Sequence, residues 1–185
     1  MTVRTSTAAA LVGLTVVVAP LRAEPLAPGS IGVSAGGVAG TGPDANALGI
    51  GYVLGAHAAW QPTLTEKHVG TSLKLAVLFG TLYTGEAARI NDPMKTLQLD
   101  LMVGIRVRPG DNPSRYLTLR AGGALLRADQ QIPPDMHRAY AGGIASIGLE
   151  QHLFGFLFNL DVRYSMIGMR PGMLGLVFGA SKMGP

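Results

Sequence analysis

Leu97-Gln98-Leu99-Asp100-Leu101-Met102-Val103-Gly104-Ile105-Arg106-Val107 repeats with a period of two. Leu97, Leu99, Leu101, Val103, Ile105 and Val107 share one face, while Gln98, Asp100, Met102, Gly104 and Arg106 share the other. Successive side chains of an extended chain point to opposite sides, so the rhythm is that of a strand with one greasy face and one small or polar face.

The same rhythm spreads outward from this stretch. Within Ala45–Thr65, Leu48, Ile50, Tyr52, Leu54, Ala56, Ala58 and Trp60 oppose Gly49, Gly51, Val53, Gly55, His57 and Ala59. Leu73, Leu75, Val77 and Phe79 alternate with Ser72, Lys74, Ala76 and Leu78. Leu117, Leu119, Ala121, Gly123 and Leu125 alternate with Thr118, Arg120 and Gly122, and Phe156 through Tyr164 alternate with Leu157, Asn159, Asp161 and Arg163. Weaker, Gly-rich candidates lie at Ile31–Val38, Tyr140–Glu150 and Met173–Ala180. Together these make about eight strands of roughly 9–13 residues, near the length a tilted strand needs to cross a bilayer. Turn chemistry separates them, as in Thr41-Gly42-Pro43-Asp44, Asn91-Asp92-Pro93 and Pro109-Gly110-Asp111-Asn112-Pro113.

Composition narrows the class. Hydrophobic residues make up 48% of the 185, charged residues 14%, and 26 are Gly; mean hydropathy is +0.31. Such a chain is too apolar for disorder and too rich in Gly for a helix bundle, since Gly weakens helix interiors. With no Cys, disulfides, thiolate metal sites and cysteine nucleophiles are excluded. The formal charge of +4 is spread singly, without a Lys/Arg run or a basic helix, so nucleic acid is not an expected partner.

The first 23 residues have the build of an export signal. Arg4 supplies a positive start, Ala8–Ala19 an uncharged, largely apolar run, Pro20 a break, and Ala23 a small residue before Glu24. The apolar run falls short of the roughly 20 residues of a spanning helix. Cleavage there removes Arg4 and Arg22 and leaves 13 basic residues against 11 acidic ones. Residues 24–185 then form one β domain.

In a soluble barrel the apolar face points inward. In a membrane barrel it meets lipid, and a narrow lumen takes small and polar groups. Here the bulky faces carry Leu, Val, Ile, Phe, Tyr and Trp, whereas the opposite faces are Gly, Ala, Ser and isolated charges. Closure also leaves no unpaired strand edge in hydrocarbon. The expected fold is therefore all-β, an eight-stranded antiparallel up-and-down transmembrane β-barrel. With both termini in the periplasm, Gln61–Gly70, Arg108–Ser114 and Gln151–Gly155 are periplasmic turns. Ala39–Asn46, Leu82–Lys95, Ala128–Arg138 and Ile167–Gly172 become outward loops, and Trp60 and Tyr83 approach opposite interfaces.

Gly148-Leu149-Glu150 and Asp161-Val162-Arg163-Tyr164, followed by a loop and a last Gly-rich strand, resemble the small outer-membrane β-barrel superfamily of the OmpA transmembrane domain and OmpX-like proteins. The resemblance implies residence in the outer membrane, contact with its lipid and lipopolysaccharide, and insertion by the outer-membrane assembly machinery. That machinery recognises an aromatic-ended final strand. Here Phe178 is followed by Gly179–Pro185, a departure from the pattern.

Parity places Lys74, Asp100, Arg106, Arg120, Glu150, Asp161 and Arg163 on the lumen side. Buried charges must pair, so these seven are expected to form an ion-pair network that rigidifies the barrel; a narrow pore is the alternative. A lipid A-modifying enzyme of the deacylase type is a further alternative, since those barrels resemble this chain in size and use a His-x-Ser element. The residues two positions beyond His57, His68, His137 and His152 are Ala59, Gly70, Ala139 and Phe154, so that element is missing. Ser165 has no neighbouring base in sequence, which leaves only a triad assembled from separate strands. His57 reads as a hydrogen-bonded lumen filler, and the other three histidines as turn or loop residues facing water. Metal-ligand spacing and phosphate loops are both absent, and no cofactor is expected. The reading is a non-enzymatic barrel with a structural or surface-interaction role and an unknown surface partner.

Overall fold

The computed structural model describes residues 29–42, 48–61, 69–83, 93–110, 114–132, 137–168 and 170–183; the segment read as an export signal lies outside them. Eight strands follow in order: β1 (Gly29–Gly40), β2 (Ile50–Trp60), β3 (Val69–Tyr83), β4 (Met94–Val107), β5 (Arg115–Ile132), β6 (His137–Leu153), β7 (Phe156–Ile167) and β8 (Arg170–Met183). Each pairs antiparallel with its sequence neighbour, and β8 pairs with β1, so the sheet closes. The all-β class, strand number and up-and-down order expected from alternation are the ones found.

Register sets the tilt. A path from Ser30 crosses the ladders through Ala59, Lys74, Met102, Gly122, Ile144, Ser165 and Met173, and returns to β1 at Gly40, ten residues higher. Stagger of this kind requires strands tilted about 35–45°, and eight of them enclose a space just wide enough for side chains. Alternation does the rest. On β4, Leu101 is 55% exposed and its neighbour Asp100 only 1%.

Boundaries differ from expectation where Gly hides the pattern. β1, β6 and β8 extend beyond Ile31–Val38, Tyr140–Glu150 and Met173–Ala180 at both ends. Their inward glycines carry no apolar mark, but backbone pairing continues through them. The expected outward loop Ala128–Arg138 is largely strand, since β5 runs to Ile132 and β6 starts at His137. Likewise, Leu82–Lys95 gives up its ends to β3 and β4. The turn expected over Gln151–Gly155 shrinks to Phe154-Gly155, with φ of 52° and 78°. Positive φ at both central residues matches the twist of the flanking strands.

Leu48 is a correction of side. Sequence alternation groups it with the outward row of β2, yet it is buried among Leu82, Met94 and Met173. Gly49, at φ 61°, breaks the extended run and resets the parity.

Candidate functional site

The lumen is the most densely organised polar region. All seven charged side chains placed there by parity are buried. Arg106 on β4 meets Glu150 on β6 at 3.0 Å, and Glu150 also binds Arg120 of β5. Arg120 reaches Asp161 on β7 at 3.3 Å, and Asp161 in turn receives Lys74 of β3 at 2.6 Å. Arg163 of β7 closes a separate pair with Asp100 of β4. Five groups thus form one chain, Arg106–Glu150–Arg120–Asp161–Lys74, with a detached Arg163–Asp100 pair beside it.

Neutral partners complete the carboxylates. Gln61 donates to both oxygens of Glu150 at 3.1 and 3.2 Å, Gln98 donates to Asp100 at 2.7 Å, and Asn159 donates to Asp161 at 2.9 Å. Arg120 further donates to Ser72 at 2.9 Å and Thr118 at 3.1 Å. Charges withdrawn from water hold only when paired and hydrogen-bonded in this way.

Toward the end of the barrel where β3 passes to β4 and β5 to β6, the lumen changes character. Val53, Ala76, Leu78 and Val177 form one apolar cluster, and Leu48, Leu82, Met94, Leu126, Ala128 and Met173 form another above it. A lumen of only small and polar groups was expected, so the outer half is a correction. At that level the inward positions of β3, β4, β5 and β8 carry Leu and Met that meet across the axis. Between them, a void bounded by Gln98, Leu126, Ser165 and Met173 measures about 10 Å³, room for one water at most.

Two histidines matter, and one was misplaced. His57 is buried on β2, and its Nδ1 lies 2.8 Å from Ser34 Oγ of β1. No local motif could reveal this pair, because it is made by the register of two strands. Both members are enclosed, at 4% and 2% exposure, so neither can meet a substrate. The sequence reading puts His152 in a turn facing water. Instead, the alternation of β6 carries it inward, where Arg106 donates to Nε2 at 2.7 Å. Its ring packs 5.3 Å from Tyr116, whose face also receives the Arg106 guanidinium at 3.6 Å. His68 lies outside the described residues. Among the described residues, no group of three His, Asp or Glu could hold a metal ion.

No protein-family model and no curated protein sequence matches the chain. Solved structures do. Ail, the attachment invasion locus protein of Yersinia pestis, superposes with a TM-score of 0.56 at 16% identity, covering 85% of this chain and 97% of Ail. Neisserial surface protein A matches with a TM-score of 0.57 at 10% identity, over 83% and 96% of the two chains. The Yersinia pestis outer membrane protein Ail in a phospholipid bilayer nanodisc matches with a TM-score of 0.51 at 15% identity, over 85% and 99%. At these identities the likeness is one of fold, and the fold is that of the small outer-membrane barrels.

Proposed function

We propose that this chain is a structural, non-enzymatic barrel of the bacterial outer membrane that presents its outward rim to partners at the cell surface. Residues 1–23 are its export signal and 24–185 its barrel domain. Lipid and lipopolysaccharide surround it, and the assembly machinery inserts it. A belt of exposed apolar side chains supports the membrane reading. On β5 the outward positions between Arg115 and Arg127 are Leu117, Leu119, Ala121, Gly123 and Leu125. At about 3.3 Å per residue and a tilt near 40°, the run from Leu117 to Leu125 stands roughly 20 Å tall and the flanking arginines roughly 30 Å apart, which brackets the roughly 25 Å of a hydrocarbon band.

The observation that carries the function is the filled lumen. An ion-pair chain occupies its inner half and an apolar plug its outer half. Ions would have to cross both. Reconstituted in planar bilayers, the protein is expected to give a flat trace under applied voltage, and stepwise ion conductance would end the structural reading in favour of a narrow pore. A buried Ser34–His57 pair without access argues against hydrolysis. Surface contact is the role left to the rim, in keeping with neighbours described as attachment invasion and surface proteins.

The belt has its own test. Leu101→Arg, midway along β4, is expected to destabilise the folded barrel in lipid by about 2–4 kcal/mol. Urea midpoints in vesicles read the effect. A negligible shift at Leu101 would mean that the exposed face meets water and not acyl chains.

A further inference from the structure

The charge-free belt ends outward in a cluster that the lumen-centred reading does not use. Lys95 on β4, Arg127 on β5 and Arg138 on β6 are exposed and border one depression of about 560 Å³. Register brings them together: Arg127 lies between Leu97 and Ala139, and Asp129 Oδ1 accepts the Lys95 backbone N–H at 2.8 Å. Asp129 is the one carboxylate among the described residues lining the depression. The lower wall is greasy, formed by Phe79 and Leu97. Just below on the same strands the barrel wall thins to bare backbone where Gly123 pairs with Gly143, beside a second hollow of about 390 Å³ walled by Val103, Tyr164 and Met166.

We propose that this outer rim of β4–β6 is a binding site for a phosphorylated glycolipid of the outward leaflet, of the lipid A class. The cations take its phosphates and the low wall beneath takes an acyl chain. The inference rests on the outer-membrane reading above, which decides that this rim meets the outward leaflet. Charge complementarity selects the occupant. Among the described residues, three cations against one carboxylate, at the boundary where hydrocarbon gives way to headgroups, match an amphiphile with more than one phosphate. A single-phosphate lipid leaves part of the cluster unmatched. A neutral lipid or an apolar protein segment would leave all of it so.

The test is native mass spectrometry of the full chain folded in detergent, titrated with bisphosphorylated lipid A, the same lipid with its phosphates removed, and phosphatidylglycerol. The wild type is expected to retain bisphosphorylated lipid A at least tenfold better than either of the others. Lys95→Gln/Arg127→Gln/Arg138→Gln should drop to the level of the dephosphorylated lipid, whereas Lys182→Gln at the inner rim should bind as the wild type does. Arg127→Gln alone, with an intermediate loss, replaces the triple variant if the latter does not fold. Wild-type retention by the cation variants would overturn the site, and equal retention of phosphatidylglycerol would overturn its assignment to glycolipid. Gel mobility of boiled and unboiled samples separates the two levels. A wild type that migrates as a folded barrel and holds no lipid A overturns this inference alone. One that shows no folded, detergent-held form overturns the membrane reading beneath it as well.

Discussion

Replacing Glu150 with alanine is expected to destabilise the barrel by about 3–5 kcal/mol, the cost of breaking a buried ion pair from one side. Glu150 is 1% exposed and serves two guanidiniums, Arg106 at 3.0 Å and Arg120, besides Gln61. Without it Arg120 keeps Asp161 at 3.3 Å. Arg106 loses the one carboxylate it meets among the described residues and retains His152 and the Tyr116 ring. The five-membered chain would then hold three cations against Asp161 alone. Removing charge from both sides tests the cause: Arg106→Gln/Glu150→Gln should recover much of the loss, because partners in one network are not additive. Urea unfolding followed by folded-form gel mobility measures both variants. A Glu150→Ala protein within about 1 kcal/mol of the wild type would mean that water already solvates the lumen, and the sealed-barrel reading would fail with it.

That lattice shows where sequence reasoning reaches and where it stops. Side is local information, since in a strand it depends only on odd or even position. Lys74, Asp100, Arg106, Arg120, Glu150, Asp161 and Arg163 could therefore be placed inward without knowing the fold's geometry. Partnership is not local. Asp161 meets Lys74 and Arg120 because the register climbs ten residues in one circuit, and no short-range pattern encodes that climb. The Ser34–His57 contact was hidden for the same reason. Parity also fails where the chain leaves the extended state, as Gly49 does for Leu48. The apolar outer plug was missed by an assumption about composition. Leu78 lies on the inward face by its own parity, and Leu82 and Met94 were assigned to a loop that is in fact strand.

Gly122 and Gly123 are adjacent in sequence and should respond oppositely to the same change. Gly122 holds an inward position by the alternation of β5, between buried Arg120 and Ala124, and a Cβ built there falls on the Leu101 carbonyl oxygen and lies 2.8 Å from Met102 Cα on β4. Gly123 faces outward, and a Cβ there meets nothing within 4 Å. The inward obstacle is backbone held in the sheet. No rotamer can relieve it, and shifting the carbonyl disturbs the β4–β5 ladder. Tight curvature is the cause, because coiling eight strands around a narrow lumen swings each neighbour's backbone over the inward position. Gly55 against the Val77 carbonyl and Gly104 against the Leu119 carbonyl repeat the arrangement. Gly122→Ala is therefore expected at or beyond the upper end of the roughly 1–3 kcal/mol of overpacking. Gly123→Ala should stay within about 0.5 kcal/mol of the wild type, as open surface positions do. Urea midpoints of the two single variants in the same lipid decide it. Equal midpoints would mean that the lumen wall is looser than its glycines require, and a methyl tolerated at Gly122 would undo the account of why this barrel is built on glycine.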